Sequence, residues 1–232
     1  MTRVTRRIEV APERLAGWCA GLADRHGGVT RTEPGPDRWR LHATDGAVAV
    51  LEPPFPPVPV DAAAVPGLAV EALVAHALVD RTVAVLLVRL GAHAAGIFEG
   101  SRLVESKVDR TLVQGRHKAG GWSQKRFARR REGQARAALA DAADLAVRLL
   151  LPARARLDAV VLGGDRRAMA GLREDRRLGP LFELASERFL TVPEPRLVVL
   201  ADTPRLFRAV RIELTEPADP NADGPSPPGR RR

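Results

Sequence analysis

Thr82-Val-Ala-Val-Leu-Leu-Val-Arg-Leu90 is an unbroken apolar run of strand length. It lacks the polar alternation of a half-exposed strand and so predicts a buried strand of a central sheet. Ala94 to Phe98 and Arg102 to Val108 follow at hairpin spacing around Gly91 and Gly100, and the sheet is expected to begin at Arg81. A polar, glycine-bearing stretch, Asp109 to Trp122, precedes a long Ala/Leu/Arg helix from about Gln124 to Leu151 that Pro152 halts. Downstream, Leu157 to Gly164 reads as a second buried strand and Arg166 to Arg176 as a helix. Arg196 to Ala201 reads as a third buried strand and Val210 to Leu214 as a last one. Strands alternating with helices after an initial hairpin predict a mixed α/β sandwich of the α+β kind.

Upstream, residues 3–10 alternate as a short strand. Ala11 to His26 reads as a helix with Pro12 in its first turn and Leu15, Trp18 and Leu22 on one face, ended by Gly27-Gly28. Trp39 to Leu41 and Ala47 to Leu51 flank Asp45-Gly46, a strong hairpin signal. The prolines at 53, 54, 56, 57 and 59 read as a stiff connector, and Val65 to Asp80 as an apolar helix. The expected domains are a small N-terminal α/β domain (1–60), a connecting helix or linker (61–80), the main unit (81–216) and a disordered, proline-rich basic tail (217–232). No internal repeat is visible.

The chain has 232 residues, 37 Lys or Arg against 28 Asp or Glu, a net charge of +9 and a sequence pI near 11.1. At 45% hydrophobic it can bury a sizeable core. A single cysteine, Cys19, excludes an internal disulfide and any cysteine-cluster metal site. No signal peptide or membrane-length apolar run is present, so a cytoplasmic protein with no membrane partner is expected. There is no tyrosine, and six Phe with three Trp leave few platforms for base stacking. Charge must dominate any nucleic-acid contact. That charge is concentrated: Arg102 to Arg136 hold eleven basic residues against three acidic ones, a local +8, and contain all three lysines (Lys107, Lys118, Lys125). This is the footprint of a polyphosphate-binding surface, or of a solvated basic helix face.

Within it lies Gly115-Arg-His-Lys-Ala-Gly120-Gly121-Trp122-Ser123-Gln124-Lys125-Arg126. Ser123 is placed to cap the helix, leaving free N–H groups pointing into a loop lined by Lys118, Lys125 and Arg126, an arrangement suited to an anion. Gly120-Gly121 lets the backbone approach a ligand or act as a hinge. Gly115-x4-Gly120 begins like a Walker A loop, but Gly121-Trp122 stand where Lys-Ser/Thr must be. Gly121-Trp-Ser123 begins like a nucleophile elbow, but Lys125 replaces its second glycine. His117 reads as a phosphate contact or bystander, and Arg116 belongs to the same cationic lining. The remaining histidines, His26, His42, His76 and His93, are scattered, and no carboxylates are spaced as ligands. No metal and no cofactor is expected. A glutamine amide orients a water or ribose hydroxyl and donates to developing negative charge, so Gln124 is the candidate catalytic residue.

The segment Gly120-Gly121-Trp122-Ser123-Gln124-Lys125-Arg126-Phe127-Ala128-Arg129-Arg130, set after a strand hairpin and before a long helix, resembles the signature of the Vms-like release factors. More specifically, the chain looks like their actinobacterial branch, known as peptidyl-tRNA hydrolases and related to the catalytic domain of archaeo-eukaryotic translation termination factors. The likeness covers roughly Arg81 to Glu216. It implies an RNase H-like sandwich and a glutamine acting at the tRNA end of peptidyl-tRNA. By motif match that residue is Gln124, with Gly120 and Gly121 shaping the loop and Ser123 beside it. Trp122-Ser123 separates the glycines from the glutamine, so the loop is not a literal Gly-Gly-Gln. The resemblance implies release of nascent chains from stalled large ribosomal subunits, with peptidyl-tRNA and rRNA as partners and Arg126, Arg129 and Arg130 holding phosphates. Water attacking the ester, or a ribose 2′-hydroxyl clipping the acceptor end, both fit. A non-catalytic RNA-binding or ribosome-binding module, or a structural protein with a basic helix, are the competing readings. With no heptad or large apolar patch, a monomer is expected.

Overall fold

The computed structural model describes residues 3–61, 63–89, 91–110 and 123–217, with only the helical course given over 123–132. In chain order the elements are β1 (Arg3–Val10), α1 (Leu15–Arg25), β2 (Val29–Glu33), β3 (Trp39–Ala43), β4 (Val48–Glu52), β5 (Val65–Pro66) and α2 (Glu71–Leu78). Next come β6 (Thr82–Arg89), β7 (Ala92–Glu99), β8 (Arg102–Arg110), α3 (Ser123–Leu149), β9 (Ala159–Gly164), α4 (Arg166–Leu172), α5 (Gly179–Phe182), β10 (Ala185–Leu190), α6 (Leu197–Ala201), α7 (Pro204–Phe207) and β11 (Val210–Pro217). This is a mixed α+β protein with two sheets. It divides into two compact units, one holding the described residues up to Leu78 and from Ala209 onward, the other Val79–Arg208.

The first unit is a six-stranded sheet in the order β1-β11-β4-β3-β2-β5, antiparallel throughout. Alternation decides its faces. Trp39, Leu41, Ala49, Leu51, Ile212 and Leu214 turn inward against Leu15, Cys19 and Leu22 of α1 and Leu73 of α2. Burying each leucine contributes about 1.5–3 kcal/mol. Gly46 takes φ +88° in the Asp45-Gly46 hairpin, as the sequence predicts. The proline run is anchored on this unit at Pro53, Pro54 and Val58, while Pro56, Pro57 and Pro59 are exposed. Pro53, Pro54 and Val58 are buried, the Val58 N–H donates to the Pro36 carbonyl at 2.7 Å, and His76 Nε2 lies 3.0 Å from the Pro54 carbonyl. Val65 to Asp80 is likewise not one helix: β5 precedes the shorter α2.

β11, expected to finish the sheet that starts at Arg81, lies between β1 and β4 in this first sheet. Its inward residues Val210, Ile212 and Leu214 complete the apolar layer there, and Thr5 and Thr215 bond across the pair at 3.1 Å.

The second unit is a five-stranded sheet, β10-β9-β6-β7-β8. β6 runs parallel to β9, β9 parallel to β10, and β7 antiparallel to both β6 and β8. Ala84, Leu86 and Val88 meet Ala142, Leu145 and Ala146 of α3 and Met169 and Leu172 of α4. On the other face a Cβ at Gly96 would lie 3.0 Å from Leu200 Cδ2, and Phe98 meets Phe207 edge to face at 5.6 Å. Both faces are covered, which is why β6 reads as continuously apolar.

The expected strand at Arg196–Ala201 is helical instead. Leu197 and Val198 are exposed while Leu200 is buried, one-sided patterning that a short apolar run does not reveal. The strand that pairs with β9 is β10, an edge strand whose polar residues hid it. α4 stops at Leu172, short of Arg176, because Asp175 caps a separate 3-10 turn through the Arg177 N–H. Among the described residues no helix is long and apolar enough to cross a membrane.

Candidate functional site

Because β6, β8, β9 and β10 run in one direction, their C-terminal ends share one end of the five-stranded sheet. β8 leaves that end and α3 returns to it. The floor there is tied by polar contacts. Arg110 Nη2 lies 3.2 Å from Glu194 Oε1, Arg196 Nη2 lies 3.7 Å from Glu194 Oε2, and Arg89 Nη1 donates to the Val192 carbonyl at 2.9 Å. Asp109 Oδ1 accepts the Arg110 N–H at 2.8 Å.

His93, opposite Asp109 in the β7–β8 register, is 2% exposed, and its Nδ1 has no hydrogen-bond partner among the described residues. Burial pulls its pKa below the ordinary imidazole value. Asp109 and Asp141 pull the other way, and Arg148 adds to the lowering. The ring is therefore neutral at pH 7, and its burial keeps it from a substrate.

α3 starts at Ser123, so Gln124, Lys125, Arg126, Arg129 and Arg130 occupy its opening turns. Twenty-seven residues give it a length of about 40 Å, against about 27 Å for the strands beneath it. The first buried side chain described along it is Ala138, which leaves Gln124 about 20 Å ahead of that point. Ala, Arg, Gln and Lys favour such a helix without tertiary support. The first turn holds no acidic residue, and Lys125 and Arg126 sit near the positive end of the macrodipole, a placement that costs about 0.3–1 kcal/mol per cation unless an anion offsets it. Arg116, His117, Lys118, Gly120 and Gly121 lie outside the described residues, and of Ser123, Gln124, Lys125, Arg126, Arg129 and Arg130 only the helical position is described.

Linear reading missed Glu194 and Arg196. Nothing in their spacing ties them to Arg110, which lies more than eighty residues earlier; the meeting follows from the sheet order. Among the described residues no three His, Cys, Asp or Glu side chains group as metal ligands. Burial pushes the Cys19 thiol up to about 12, so it is neither thiolate nor nucleophile near neutral pH.

Residues 81–213 match the family model described as Actinobacteria/chloroflexi VLRF1 release factor. Among solved structures, a crystal structure of the archaeal translation termination factor aRF1 aligns with 13% identity over 86% of this chain and 73% of that one, at a TM-score of 0.38. An archaeal protein aligns with 15% identity over 72% of this chain and 52% of its own, at 0.37. No curated protein matches the sequence.

Proposed function

The chain belongs to the Actinobacteria/chloroflexi VLRF1 release factor family, and from that premise we propose that it is a metal-independent peptidyl-tRNA hydrolase, cytoplasmic and monomeric, which frees nascent chains from stalled large ribosomal subunits. The observation that carries this reading is the position of Gln124: the opening turn of a 27-residue helix, about 20 Å ahead of the first buried position described on it. A residue so placed can be presented to a recessed centre while the sheet stays outside.

In this reading Lys125, Arg126, Arg129 and Arg130, with Arg116, His117 and Lys118, neutralise phosphates near the acceptor end. Gly120 and Gly121 let the backbone approach it, beside Ser123. The Gln124 amide orients a water against the ester carbonyl and donates to the oxyanion that forms. The acyl–oxygen bond breaks, one proton of the attacking water ends on the departing ribose oxygen and the other passes to solvent, and the peptide leaves as a free carboxylate beside an intact tRNA. Catalysis of this kind rests on positioning and electrostatics, and loss of one such donor costs about 3–4 kcal/mol at the transition state.

The test is incubation of stalled large-subunit complexes carrying 3′-labelled peptidyl-tRNA with wild type and Gln124→Ala, resolving both peptide and tRNA end. Free peptide with full-length tRNA, slowed roughly 100-fold or more in the variant, is expected. A shortened tRNA would replace ester hydrolysis by nucleolytic clipping, and a substrate left untouched by both proteins while both bind it equally would leave a binding module.

A further inference from the structure

Arg166 and Arg167 open α4 immediately after β9, at the sheet end from which β8 leaves. Their place is rigidly set. Gly164 has φ +100°, and a Cβ there would fall 2.2 Å from the Val88 carbonyl oxygen; the Asp165 N–H donates to that same carbonyl at 2.8 Å. The carboxylate of Asp165 is engaged with backbone, its Oδ1 accepting from the Arg167 and Ala168 N–H groups at 2.7 and 3.2 Å. Neither arginine has an ion-pair partner among the described residues, and both are exposed. The Arg166 guanidinium carbon lies over the Phe189 ring, 4.3 Å from its centroid, a cation–π contact that holds the group without neutralising its charge. Across the same end, Arg110 and Arg196 share the single carboxylate of Glu194, while the neighbouring Asp109 carboxylate accepts the Arg110 backbone N–H. Four arginines from three separate stretches of chain thus line one end of one sheet. At the opposite end, the arginine that opens β8 is matched singly, Arg102 with Glu99, as is Arg156, just before β9, with Glu105.

We propose that this arginine rim, Arg110, Arg166, Arg167 and Arg196, binds the backbone phosphates of an RNA stem, a second contact surface in addition to the basic start of α3. The inference rests on the reading that the substrate is tRNA-linked, and it names the part of that substrate the rim takes: the duplex behind the acceptor end. Guanidinium groups spread along a fixed edge suit successive phosphates and carry no base specificity. The binding is therefore electrostatic and salt-dependent.

Fluorescence anisotropy with a labelled acceptor-stem RNA minihelix, over a series of KCl concentrations, tests it on the full chain. Arg166→Ala/Arg167→Ala is expected to weaken binding roughly tenfold near 0.1 M salt and to lower the slope of log K against log salt by about 2, one unit per phosphate contact. Arg167→Glu, whose backbone bond to Asp165 is independent of its side chain, keeps the test open if loss of the Phe189 contact harms folding; it should weaken binding at least as much as one neutralised arginine. Arg102→Ala/Arg156→Ala, at the far end, should stay within twofold of wild type. Equal losses from the two ends, no loss from the rim variants, or no minihelix binding by the wild type would overturn the proposal. Rim variants that bind normally while Gln124→Ala still abolishes release defeat the rim alone. A wild type that leaves the stalled complexes' peptidyl-tRNA untouched defeats the hydrolase reading instead, whatever the binding series shows.

Discussion

On the open face of the six-stranded sheet, cations meet carboxylates across neighbouring strands: Arg7 with Glu213 at 3.2 Å, Arg211 with Glu9 at 3.2 Å, and His42 with Glu33 at 3.2 Å, while Arg31 meets Glu33 along β2 itself at 2.6 Å. At the strand ends of the five-stranded sheet, Arg166 and Arg167 have no ion-pair partner among the described residues, and Arg110 and Arg196 divide one carboxylate. The difference follows from how many faces each sheet buries. An antiparallel sheet covered on one side must tile the other with polar groups, and cross-strand pairing neutralises them in place. A sheet whose inner strands are covered on both sides carries its charges on the edge strand β8 and at the strand ends, and at the end where β8 and β9 finish the arginines are not matched one to one. The same residue type thus serves solvation in one unit and leaves positive charge available for a ligand in the other.

The sharpest way to break this comparison is to damage the covered sheet. Leu86→Ala, at a site 2% exposed in the middle of β6, should cost about 2–5 kcal/mol in denaturant unfolding. Arg7→Ala on the open face should cost about 0–1 kcal/mol, the usual worth of an exposed pair; similar losses would show that the two sheets are not built so differently. Gly164→Ala comes next. Its Cβ would meet Val88 O at 2.2 Å with φ at +100°, so more than about 2 kcal/mol should be lost, and the rim it supports should weaken with it.

Acidification should give the smallest effect. His93 has its pKa lowered by burial, so the folded state binds fewer protons than the unfolded one below pH 6.5. The stability it contributes is fully present above the unfolded pKa of about 6.5 and falls as pH drops below it. Thermal unfolding of the second unit followed from pH 7.5 to 5 should show that decline, and His93→Gln should flatten it.

Much of this pattern is legible in the chain. β6 is visible because burial on both faces removes every polar alternation, the Asp45-Gly46 hairpin because a positive φ selects its turn residues, and α1 because Leu15, Trp18 and Leu22 recur at helical spacing, although Cys19 and not Trp18 is buried with Leu15 and Leu22. The candidate catalytic segment is visible for a related reason: its glycines, glutamine and cations are contiguous, so no folding is needed to bring them together. α6 was misread because five apolar residues fit a helix or a strand equally until one side of them is exposed. β10 was missed because an edge strand keeps polar residues that a central one discards.

The amino-acid order alone determined the buried strand at Thr82–Arg89, the long basic helix and the Gly120-to-Arg130 segment with Gln124, since each depends on neighbours within a few turns or strand repeats. Tertiary structure alone decided that β11 joins a strand more than two hundred residues earlier, that Pro53 and Pro54 are buried, and that Arg110, Arg166, Arg167 and Arg196 line one end of a sheet. Those outcomes depend on which apolar faces find each other when the chain collapses, and no local spacing encodes a partner that distant.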